Sequence, residues 1–573
     1  MPRSNDDVER ALLEFGDLLS IVADDPFKPR AYEKAARAVG AHPDDLRELD
    51  DAGIRAIPHV GKSIAEKIET YLESGTFPEL ESLRSQIPSG VREMTLIPGF
   101  GPKKAMAVYQ QLGIQGLDEL LAAAEDGRLA ALKGFSEKTE KQVLAGAKRA
   151  RAGEGRVRID EALDLAEELL ERLRAMPEVV KAEYAGSLRR MAETIGDVDL
   201  LVAARDATPV MDAFTGYGLV DRVLAKGDTK SSIVTRAGLQ VDLRVVPAQA
   251  WGAAMVYFTG SKAHNVRIRE IAVRKGLKLN EYGLFDAISG DLIAGRKESD
   301  VYEQLGMVYV EPALREDLGE VEAASSGDLP RVVTLKRIRG DLHTHTNLTD
   351  GQASLERMLE AAAAKGYAYY AVTDHAPDLA MQRMTDEKML AQRLELRALQ
   401  ARYPGMALLH GSELNIGPEG GVDWDAEFLE GFDITVASVH SHFRQPRDEM
   451  TARVIRAMEN PHVNVIGHLT TRLIGRREPV DLDLEAVFAA AARTGTALEI
   501  NAYPDRLDVR DEHVMWARRH GVRFAIDTDS HAVGHLDVMR YGIGVAQRGW
   551  LQAEDVINTW PFAKLRRFLR KGR

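Results

Sequence analysis

The spacing of hydrophobic positions divides the chain into an N-terminal helical region and a longer region that mixes strands with helices. Residues 5–150 carry apolar side chains three and four positions apart, with short polar breaks, which predicts helices. From Ile338 onward, apolar runs typical of strands alternate with amphipathic stretches, which predicts a βα barrel. At 573 residues the chain is too long for one core and should form roughly three to five domains.

The stretch 184–202 predicts a strand, a Gly-Ser turn, a short helix and an apolar strand that begins with Asp197 and Asp199. Side chains two positions apart share a face of a strand, so these carboxylates would repel each other unless a divalent cation lay between them. Mg²⁺ often binds one or two protein carboxylates together with substrate phosphates. A later apolar strand, 240–246, carries Asp242 as a third candidate ligand. Two solvent-facing aspartates at a strand edge are the alternative.

Composition is that of an ordinary globular protein, with 45% hydrophobic and 28% charged residues. We find no apolar run near the roughly 18 residues that span a bilayer, and the polar, acidic N-terminus is unlike a signal peptide. The chain has no cysteine, which excludes disulfides and thiolate metal sites. These features predict a cytoplasmic protein without membrane contact.

Charge is unevenly distributed along the chain. The formal net charge of −13 argues against a protein coated in basic surface. Residues 222–280, however, carry 11 Lys and Arg against 3 Asp and Glu. A local basic patch is sufficient to bind a nucleic-acid backbone, so nucleic acid remains a candidate partner.

Three glycine-containing breaks in the helical region resemble one another: 57–64, 97–104 and 132–139. Each opens directly into a predicted helix, whose first backbone N–H groups can bind a phosphate oxygen. These breaks resemble helix-hairpin-helix motifs, which hold DNA backbones without reading sequence, although His59 replaces a glycine that is usual in the first. The resemblance implies DNA contacts at Gly61, Gly99, Gly101, Lys103 and Gly134.

Lys67 follows the first of these breaks. A lysine beside a DNA hairpin can form a Schiff base with the aldehyde of a base-less sugar if its pKa is lowered, so Lys67 is a candidate lyase residue. An exposed helical lysine is the alternative.

The acidic strand pair resembles the palm of family X DNA polymerases. The similarity lies in Gly186-Ser187 with Arg190, in Gly196-Asp197-Val198-Asp199, and in Asp242. It continues in 257–265 with Arg269, and in 279–283. Met191 stands where relatives often have glycine.

That resemblance implies a role for each matching residue. Asp197 and Asp199 would bind both of two Mg²⁺ or Mn²⁺ ions, and Asp242 would bind the catalytic ion and activate the primer 3′-hydroxyl. The phosphates of an incoming dNTP would contact Gly186, Ser187 and Arg190. Its sugar would pack on Tyr257, Phe258 and Gly260, and the base pair would meet Asn265 and Arg269.

The predicted barrel strands end in polar, metal-binding residues at 341–345, 373–375, 411–413, 438–442, 467–468, 499–501 and 527–531. Barrel enzymes place their sites at these ends. The set resembles the PHP (polymerase and histidinol phosphatase) domain, a phosphoesterase with three divalent ions. Imidazole and carboxylate ligands suit Zn²⁺, Mn²⁺ or Fe²⁺. By this resemblance the ligands are His343, His345, Asp350, His375, Glu413, His440, His468, Asp529 and His531.

Together these features predict a multidomain α+β and α/β fold that ends in a distorted (β/α)7 barrel. The predicted parts are an 8-kDa-like helical domain (1–90), a fingers-like helical region (91–155), a nucleotidyltransferase palm (156–250), a thumb-like nucleotide-selection subdomain (251–318), a linker (319–332) and the PHP domain (333–573).

This order of domains resembles bacterial family X DNA polymerases that carry a C-terminal PHP domain. The resemblance implies a monomer that fills short gaps in DNA repair with dNTPs, acting on gapped or primer–template DNA. The barrel would be a 3′–5′ exonuclease, with 3′-phosphatase or abasic-site endonuclease activity as further candidates. A small-molecule phosphatase with a vestigial palm is one alternative. A non-catalytic DNA-binding scaffold is another, although it would not need two complete sets of metal ligands.

Overall fold

The computed structural model describes residues 27–40, 46–57, 59–87, 102–130, 156–379 and 384–571, together with scattered positions before residue 148. The chain separates into two compact units, Met1–Val157 and Arg158–Arg573. None of the helices in these described segments is both long and apolar enough to cross a membrane.

The described part of the first unit is helical, as the spacing of its apolar positions predicts. Its helices share one core, in which the ring of Phe15 packs edge-on against Tyr32 and Phe77, with centroids 4.7 and 5.1 Å away. The helices are α1 (Phe27–Gly40), α2 (Asp51–Ala56), α3 (Lys62–Ser74), α4 (Pro78–Gln86), α5 (Pro102–Leu112) and α6 (Leu117–Glu125).

The first predicted hairpin turn leads directly into α3. His59 has a φ of 66°, in the left-handed region that glycine adopts most easily. This conformation is the physical reason that a glycine suits the position, and the turn retains it with histidine. Gly61 is the exposed N-cap residue of α3, and no side chain caps the helix there.

The second unit begins with the predicted palm, a five-stranded sheet of β2 (Val179–Tyr184), β4 (Asp197–Ala204), β5 (Val220–Lys226), β6 (Lys230–Thr235) and β7 (Gln240–Val246). The strand order is β2-β4-β7-β6-β5. Strand β4 pairs antiparallel with β2 and parallel with β7, which places two buried strands side by side at the centre. The short pair β1 (Val157–Arg158) and β3 (Thr194–Ile195) and the helices α7 (Ile159–Arg174), α8 (Gly186–Arg189) and α9 (Thr208–Gly216) complete the palm.

The thumb-like subdomain follows the palm and has its own apolar core. It contains a three-stranded antiparallel sheet in the order β10-β9-β8. Its elements are α10 (Trp251–Thr259), α11 (Lys262–Arg274), β8 (Leu277–Asn280), β9 (Gly283–Asp286), β10 (Leu292–Ala294) and α12 (Glu298–Gln304).

The segment predicted as a linker is not an extended connection. Residues Glu320–Ser326 form helix α13, and Val321 and Ala324 are buried in the thumb core. The buried carboxylate of Glu320 lies 2.6 Å from Nδ1 of His264, which anchors the helix to α11. Small residues made this segment resemble a linker, but they allow α13 to pack closely.

The C-terminal part is a barrel of seven parallel strands that follow one another in chain order. An isolated parallel bridge between Thr344 and Ser530 joins the chain just beyond the first strand to that beyond the last, so the barrel is nearly closed. The strands are β11 (Gly340–Asp341), β12 (Tyr369–Val372), β13 (Ala407–Asn415), β14 (Ile434–Ser438), β15 (Val465–Ile466), β16 (Ala497–Asn501) and β17 (Phe524–Asp527). The predicted barrel is confirmed.

Helices connect these strands and cover the outside of the barrel, because parallel neighbours require crossover connections. The connecting helices are α14 (Leu355–Ala364), α15 (Asp386–Leu399), α16 (Ala426–Leu429), α17 (Arg447–Glu459), α18 (Leu484–Thr494) and α19 (Asp511–Arg519), and α20 (Met539–Arg548) and α21 (Phe562–Leu569) follow the last strand.

Two candidate metal centres

The palm places its three candidate carboxylates on one face of the sheet. Asp199 on β4 is the direct partner of Asp242 on the parallel strand β7, and Asp197 is the partner of Gln240. Alternation along each strand then brings Asp197, two positions from Asp199, to the same face. Sequence spacing predicted the first pair, and the parallel register adds the third member.

The electrostatics of this cluster fit a cation. Burial raises the pKa of Asp199 to about 7, and the nearby Asp197 and Asp242 add to the rise. Burial also acts to raise the pKa of Asp242. Hydrogen bonds from Lys230, Ser232 and Gln240 outweigh burial and hold that pKa below its usual value. Nζ of Lys230 lies 2.9 Å from Asp242 Oδ2. A divalent cation would relieve the repulsion that raises the pKa of Asp199.

Gly186 lies directly beside this cluster. It has a φ of 61° and starts the short helix α8. A Cβ added at this position would lie 2.2 Å from Asp199 Oδ2, well inside van der Waals contact. Only glycine therefore allows the Gly-Ser turn to approach the carboxylate this closely.

The arginine expected to bind nucleotide phosphates is already engaged by protein groups. Arg190 Nη1 donates to the carbonyl oxygen of Thr259 at 2.6 Å, and Nε donates to Glu316 Oε1 at 2.9 Å. Thr259 precedes Gly260 at the end of α10, so Arg190 lies against the segment predicted to hold the sugar. A Cβ on Gly260 would meet Arg190 Nη1 at 3.2 Å.

The predicted sugar and base contacts lie together at the α10–α11 corner. The rings of Tyr257 and Phe258 meet edge-on at 5.1 Å. Asn265 Nδ2 donates to the carbonyl oxygen of Tyr257 at 2.6 Å, and Arg269 Nε donates to the carbonyl oxygen of Asn265 at 3.0 Å. Ser187, in helix α8, is partly exposed next to Gly186.

A second cluster lies at the C-terminal ends of the barrel strands, where barrel enzymes carry their active sites. It brings together all nine residues that the sequence predicted, since each lies within 4 Å of another member. The members are His343, His345, Asp350, His375, Glu413, His440, His468, Asp529 and His531.

Glu413 is the centre of this cluster and is 1% exposed. Its Oε1 lies 3.1 Å from His440 Nε2 and 3.0 Å from His468 Nε2. Its Oε2 lies 2.9 Å from His375 Nδ1. Burial acts to raise the pKa of Glu413, but the surrounding histidines outweigh it and hold that pKa well below its usual value. One ionised carboxylate therefore faces several imidazoles.

Asp350 and Asp529 are the other two carboxylates of the cluster. Asp529 Oδ1 lies 3.2 Å from His345 Nε2, and Asp350 lies 3.2 Å from His375 Nε2 and 3.3 Å from His531 Nε2. Burial acts to raise the pKa of each aspartate, but the histidines around them lower both pKa values. Imidazoles that are charged beside these carboxylates would lose protons when a metal binds.

The buried nitrogens indicate that this cluster fits metal ions. Within the described residues, His343 Nε2 and both ring nitrogens of His345 are buried without a hydrogen-bond partner. Buried polar atoms normally have partners, and a cation would supply one. In the described chain, three overlapping groups of residues each offer ligand atoms that lie within 4.8 Å of one another. They are His345, Asp350, His375 and His531; His343, His345 and Asp529; and His375, Glu413 and His440.

Glu499, at the end of β16, is a functional candidate outside the nine ligands that the sequence predicted. Its Oε1 lies 2.6 Å from His343 Nδ1, and its Oε2 accepts from the amide of His468 at 2.6 Å. Metal-binding histidines are commonly oriented by a carboxylate on their other nitrogen. Only the three-dimensional register of the strands brings Glu499 and His343 together.

The predicted DNA contacts of the first unit are only partly described. Gly99, Gly101 and Gly134 lie outside the described residues, as does the side chain of Lys103 in α5. Gly61 is exposed at the start of α3.

Lys67 is held by protein groups. Its Nζ lies 2.5 Å from Glu79 Oε1 and 5.9 Å from the ring centres of both Phe15 and Phe77. The side chain of Lys67 is 12% exposed. This geometry favours a structural role over the predicted lyase role, which stays a hypothesis.

Models of known domain families match four parts of the chain. Residues 3–77 match a helix-hairpin-helix domain, and 91–149 match a SAM-like helix-hairpin-helix tandem. Residues 254–316 match the thumb of DNA polymerase beta. Residues 341–503 match the PHP domain, which covers β11 to β16. The predicted motifs, thumb and PHP domain are confirmed.

Curated relatives resemble either the whole chain or one part of it. The chain is 35% identical to "DNA polymerase/3'-5' exonuclease PolX" of Bacillus subtilis, over 99% of both chains. It is 26% identical to DNA polymerase lambda of Rattus norvegicus over 52% of this chain and 53% of the relative. It is 27% identical to a probable phosphatase of Shewanella sediminis over 40% of this chain and 94% of the relative.

The fold and its two sites define a nucleotidyltransferase joined to a metal-dependent phosphoesterase. The similarity to the Bacillus subtilis protein over nearly the full length of both chains narrows this class further. The chain belongs to the bacterial PolX family of family X DNA polymerases. The predicted family is confirmed.

Proposed function

We propose that this chain is a DNA-directed DNA polymerase that fills short gaps during DNA repair, and that its barrel removes nucleotides from DNA 3′ ends. The observation that carries the proposal is the pairing of Asp199 with Asp242 across parallel strands, beside the glycine turn at Gly186. A vestigial palm would not need to keep this constellation beside a complete barrel cluster. The full-length relative, named as both polymerase and exonuclease, supports the same pair of activities.

In the palm, Asp197, Asp199 and Asp242 would hold Mg²⁺ or Mn²⁺. These ions would neutralise charge on the transferring phosphoryl group and its leaving pyrophosphate. Asp242 would orient the primer 3′-hydroxyl, and Arg190 would exchange its contact with Glu316 for a dNTP phosphate, because guanidinium binds phosphate in a forked geometry.

Around the nucleotide, Tyr257 and Phe258 would pack on the sugar and leave little room for a 2′-hydroxyl. Gly186, Ser187 and Gly260 would line the phosphate and sugar positions with backbone. Asn265 and Arg269 would face the base pair. Such contacts would suit a dNTP paired on a primer–template or gapped DNA.

In the barrel, the histidines and carboxylates around Glu413 would hold up to three divalent ions, with Zn²⁺, Mn²⁺ and Fe²⁺ suited to the donor set. Such ions polarise a phosphoester and lower the pKa of bound water. Glu499 would keep His343 oriented, and the cluster would accept the terminal phosphodiester of a DNA 3′ end. A 3′-phosphate or an abasic site presents the same phosphoester chemistry.

We propose that DNA is held without sequence preference through the helix-hairpin-helix turns, including the one that ends at Gly61, and that a monomer suffices. Backbone amides at helix N-termini bind phosphate regardless of the base. A phosphatase for small phosphate esters is the competing function. The observation that supports it is the similarity to a probable phosphatase over 40% of this chain.

Two substitutions separate the activities on a one-nucleotide gapped duplex. We expect Asp242→Ala to abolish primer extension and to retain Mn²⁺-dependent 3′ degradation, and His343→Ala to do the reverse. The exposed Asp212 and the partly exposed His520 supply matched controls, Asp212→Ala and His520→Ala, which should retain both activities. Unchanged extension in Asp242→Ala would show that the palm assignment is wrong. Hydrolysis of small phosphate esters by a wild-type chain that leaves DNA unchanged would favour the phosphatase.

A further inference from the structure

The barrel contacts the palm segment after the proposed phosphate-binding turn at three positions, 190, 191 and 193. Arg548 Nη1, at the end of α20, donates to the carbonyl oxygen of Arg190 at 3.0 Å. Met191, with a φ of 58°, packs on Gly544, where an added Cβ would lie 2.7 Å from Met191 Cε. Arg472 Nη2 donates to Glu193 Oε2 at 2.6 Å. The left-handed conformation of Met191 therefore accompanies contact with α20.

Arg548 also contacts Glu316, the side chain that pairs with Arg190. Arg548 Nη1 donates to Glu316 Oε1 at 2.7 Å, and its Nε donates to Asp511 Oδ2 at 2.6 Å. Glu316 Oε1 is also the acceptor for Arg190 Nε at 2.9 Å. One carboxylate oxygen of Glu316 is therefore shared between Arg548 and Arg190.

This shared carboxylate lies mostly out of solvent, so its charge is weakly screened. The side chains of Arg190, Glu316 and Arg548 are 15%, 19% and 16% exposed. Interactions between such charges are stronger than those of exposed surface pairs. How Glu316 divides its charge between two arginines then decides how much of the Arg190 charge remains for a ligand.

We infer that Arg548 of the barrel positions the palm's phosphate-binding arginine: it shares the Glu316 carboxylate with Arg190 and holds the Arg190 backbone, which leaves the Arg190 guanidinium available to a dNTP triphosphate. This inference rests on the proposed role of Arg190. Without Arg548, Glu316 pairs with Arg190 alone, and that tighter pair competes with the phosphates. The barrel is then a structural part of the nucleotide pocket as well as a second active site.

The test compares full-length variants in steady-state filling of a one-nucleotide gap. Arg548→Met should raise the KM for dNTP by about tenfold with kcat within about twofold, the pattern of lost ground-state binding. Arg548→Lys, which restores a positive charge without the fork, should give an intermediate KM. Mn²⁺-dependent 3′ degradation should stay within about twofold of wild type in both, because neither variant alters a barrel ligand.

Arg540→Met is the matched control at the same interface. Arg540 also lies on α20, and its guanidinium lies 3.3 Å from Glu167 Oε1 and 3.8 Å from Asp164 Oδ1 of α7. Neither of these ion pairs involves residues 190–193. Its dNTP KM should equal that of wild type. An equal rise in KM in Arg540→Met and Arg548→Met would overturn the inference, because loosening of the interface would then explain both.

A second background tests the route through Glu316 and guards against simple misfolding. In Glu316→Gln, Arg190 no longer faces a full negative charge, so adding Arg548→Met should raise the KM for dNTP by much less than about tenfold, because only the contact with the Arg190 backbone is then lost. An undiminished effect in that background, or an unchanged KM in Arg548→Met alone, overturns the inference. Arg190→Met distinguishes failure of the proposed function from failure of this inference. If Arg190→Met leaves the KM for dNTP unchanged, the proposed phosphate role of Arg190 fails. If Arg190→Met raises that KM but Arg548→Met does not, only the role of Arg548 is refuted.

Discussion

Gly186 approaches Asp199 so closely that a Cβ on residue 186 would lie 2.2 Å from Asp199 Oδ2. The backbone of Gly186 is also left-handed, with a φ of 61°. Two independent constraints therefore act on this position, one from backbone conformation and one from the carboxylate of Asp199, a candidate metal ligand. The Gly-Ser turn and the acidic strand are thus parts of one constellation.

We expect Gly186→Ala to lower primer extension by at least roughly 100-fold, because displacing Asp199 by about an ångström is enough to lose that factor. Mn²⁺-dependent 3′ degradation by the barrel should be unchanged. Gly238→Ala is the control: Gly238 has a φ of 85° but no heavy atom within 4 Å of an added Cβ. If Gly238→Ala lost as much extension as Gly186→Ala, backbone strain rather than contact with Asp199 would be the cause.

The barrel offers a prediction for a residue that the sequence left without a role. Glu499→Gln keeps the shape of the side chain but removes the charge that faces His343 Nδ1 at 2.6 Å. Removing such an orienting partner typically costs about 10- to 100-fold in metal affinity or activity, and we expect a loss of 3′ degradation in that range. The Mn²⁺ concentration for half-maximal activity should rise, and primer extension should not change.

Glu485→Gln is the control for this change, since Glu485 pairs with His520 and Trp516 away from the cluster. Wild-type metal dependence in Glu499→Gln would mean that Glu499 does not orient His343 during the reaction.

Local patterns predicted the candidate ligands of both sites because these residues lie near the beginnings or ends of strands. Asp197 and Asp199 are two positions apart on β4, and His343 and His345 lie shortly after the end of β11, so their convergence required only alternation and barrel topology. The partnership of Glu499 with His343 required the order of strands around the barrel. That pairing depends on long-range register, which a local pattern does not encode.

The contacts of Arg190 and Met191 could not be predicted from the sequence. Arg190 pairs with Glu316, which is 126 positions away, and Met191 packs on Gly544. The sequence shows methionine at 191 where relatives often have glycine. Its left-handed φ and its contact with Gly544 are evident only from the structure with the barrel in place. The helix Glu320–Ser326 was missed because small residues suit both linkers and close packing.

Lys67 tests the choice between a lyase and a structural lysine. A Schiff base requires a neutral, accessible amine, whereas Lys67 Nζ lies 2.5 Å from Glu79 Oε1 in a side chain that is 12% exposed. We expect Lys67→Ala to leave unchanged the yield of borohydride-trapped adduct with abasic-site DNA, and to lower the thermal midpoint. Lys62→Ala, at the exposed start of α3, is the control for loss of a nearby positive charge. Loss of the adduct in Lys67→Ala alone would restore the lyase hypothesis.

We expect His410 to make the stability of the barrel depend on pH. It is fully buried on β13, accepts from Arg393 Nε at Nδ1 and stacks on Phe432 at 5.1 Å. Burial, reinforced by Arg393 and Arg397, lowers the pKa of His410 from 6.5 to about 3. Between these values the unfolded chain binds the proton and the folded chain does not, so this contribution to stability is complete above pH 6.5 and is lost as pH falls toward 3.

The loss should reach roughly 2 kcal/mol between pH 6.5 and pH 5 and on the order of 5 kcal/mol by pH 3, at 1.36 kcal/mol for each unit. His410→Gln retains an acceptor for Arg393 but cannot titrate, so its urea midpoint should fall less between pH 7 and pH 5 than that of wild type. His520→Gln, at a partly exposed histidine, should follow wild type. Parallel pH dependence in wild type and His410→Gln would show that His410 is not the buried group responsible.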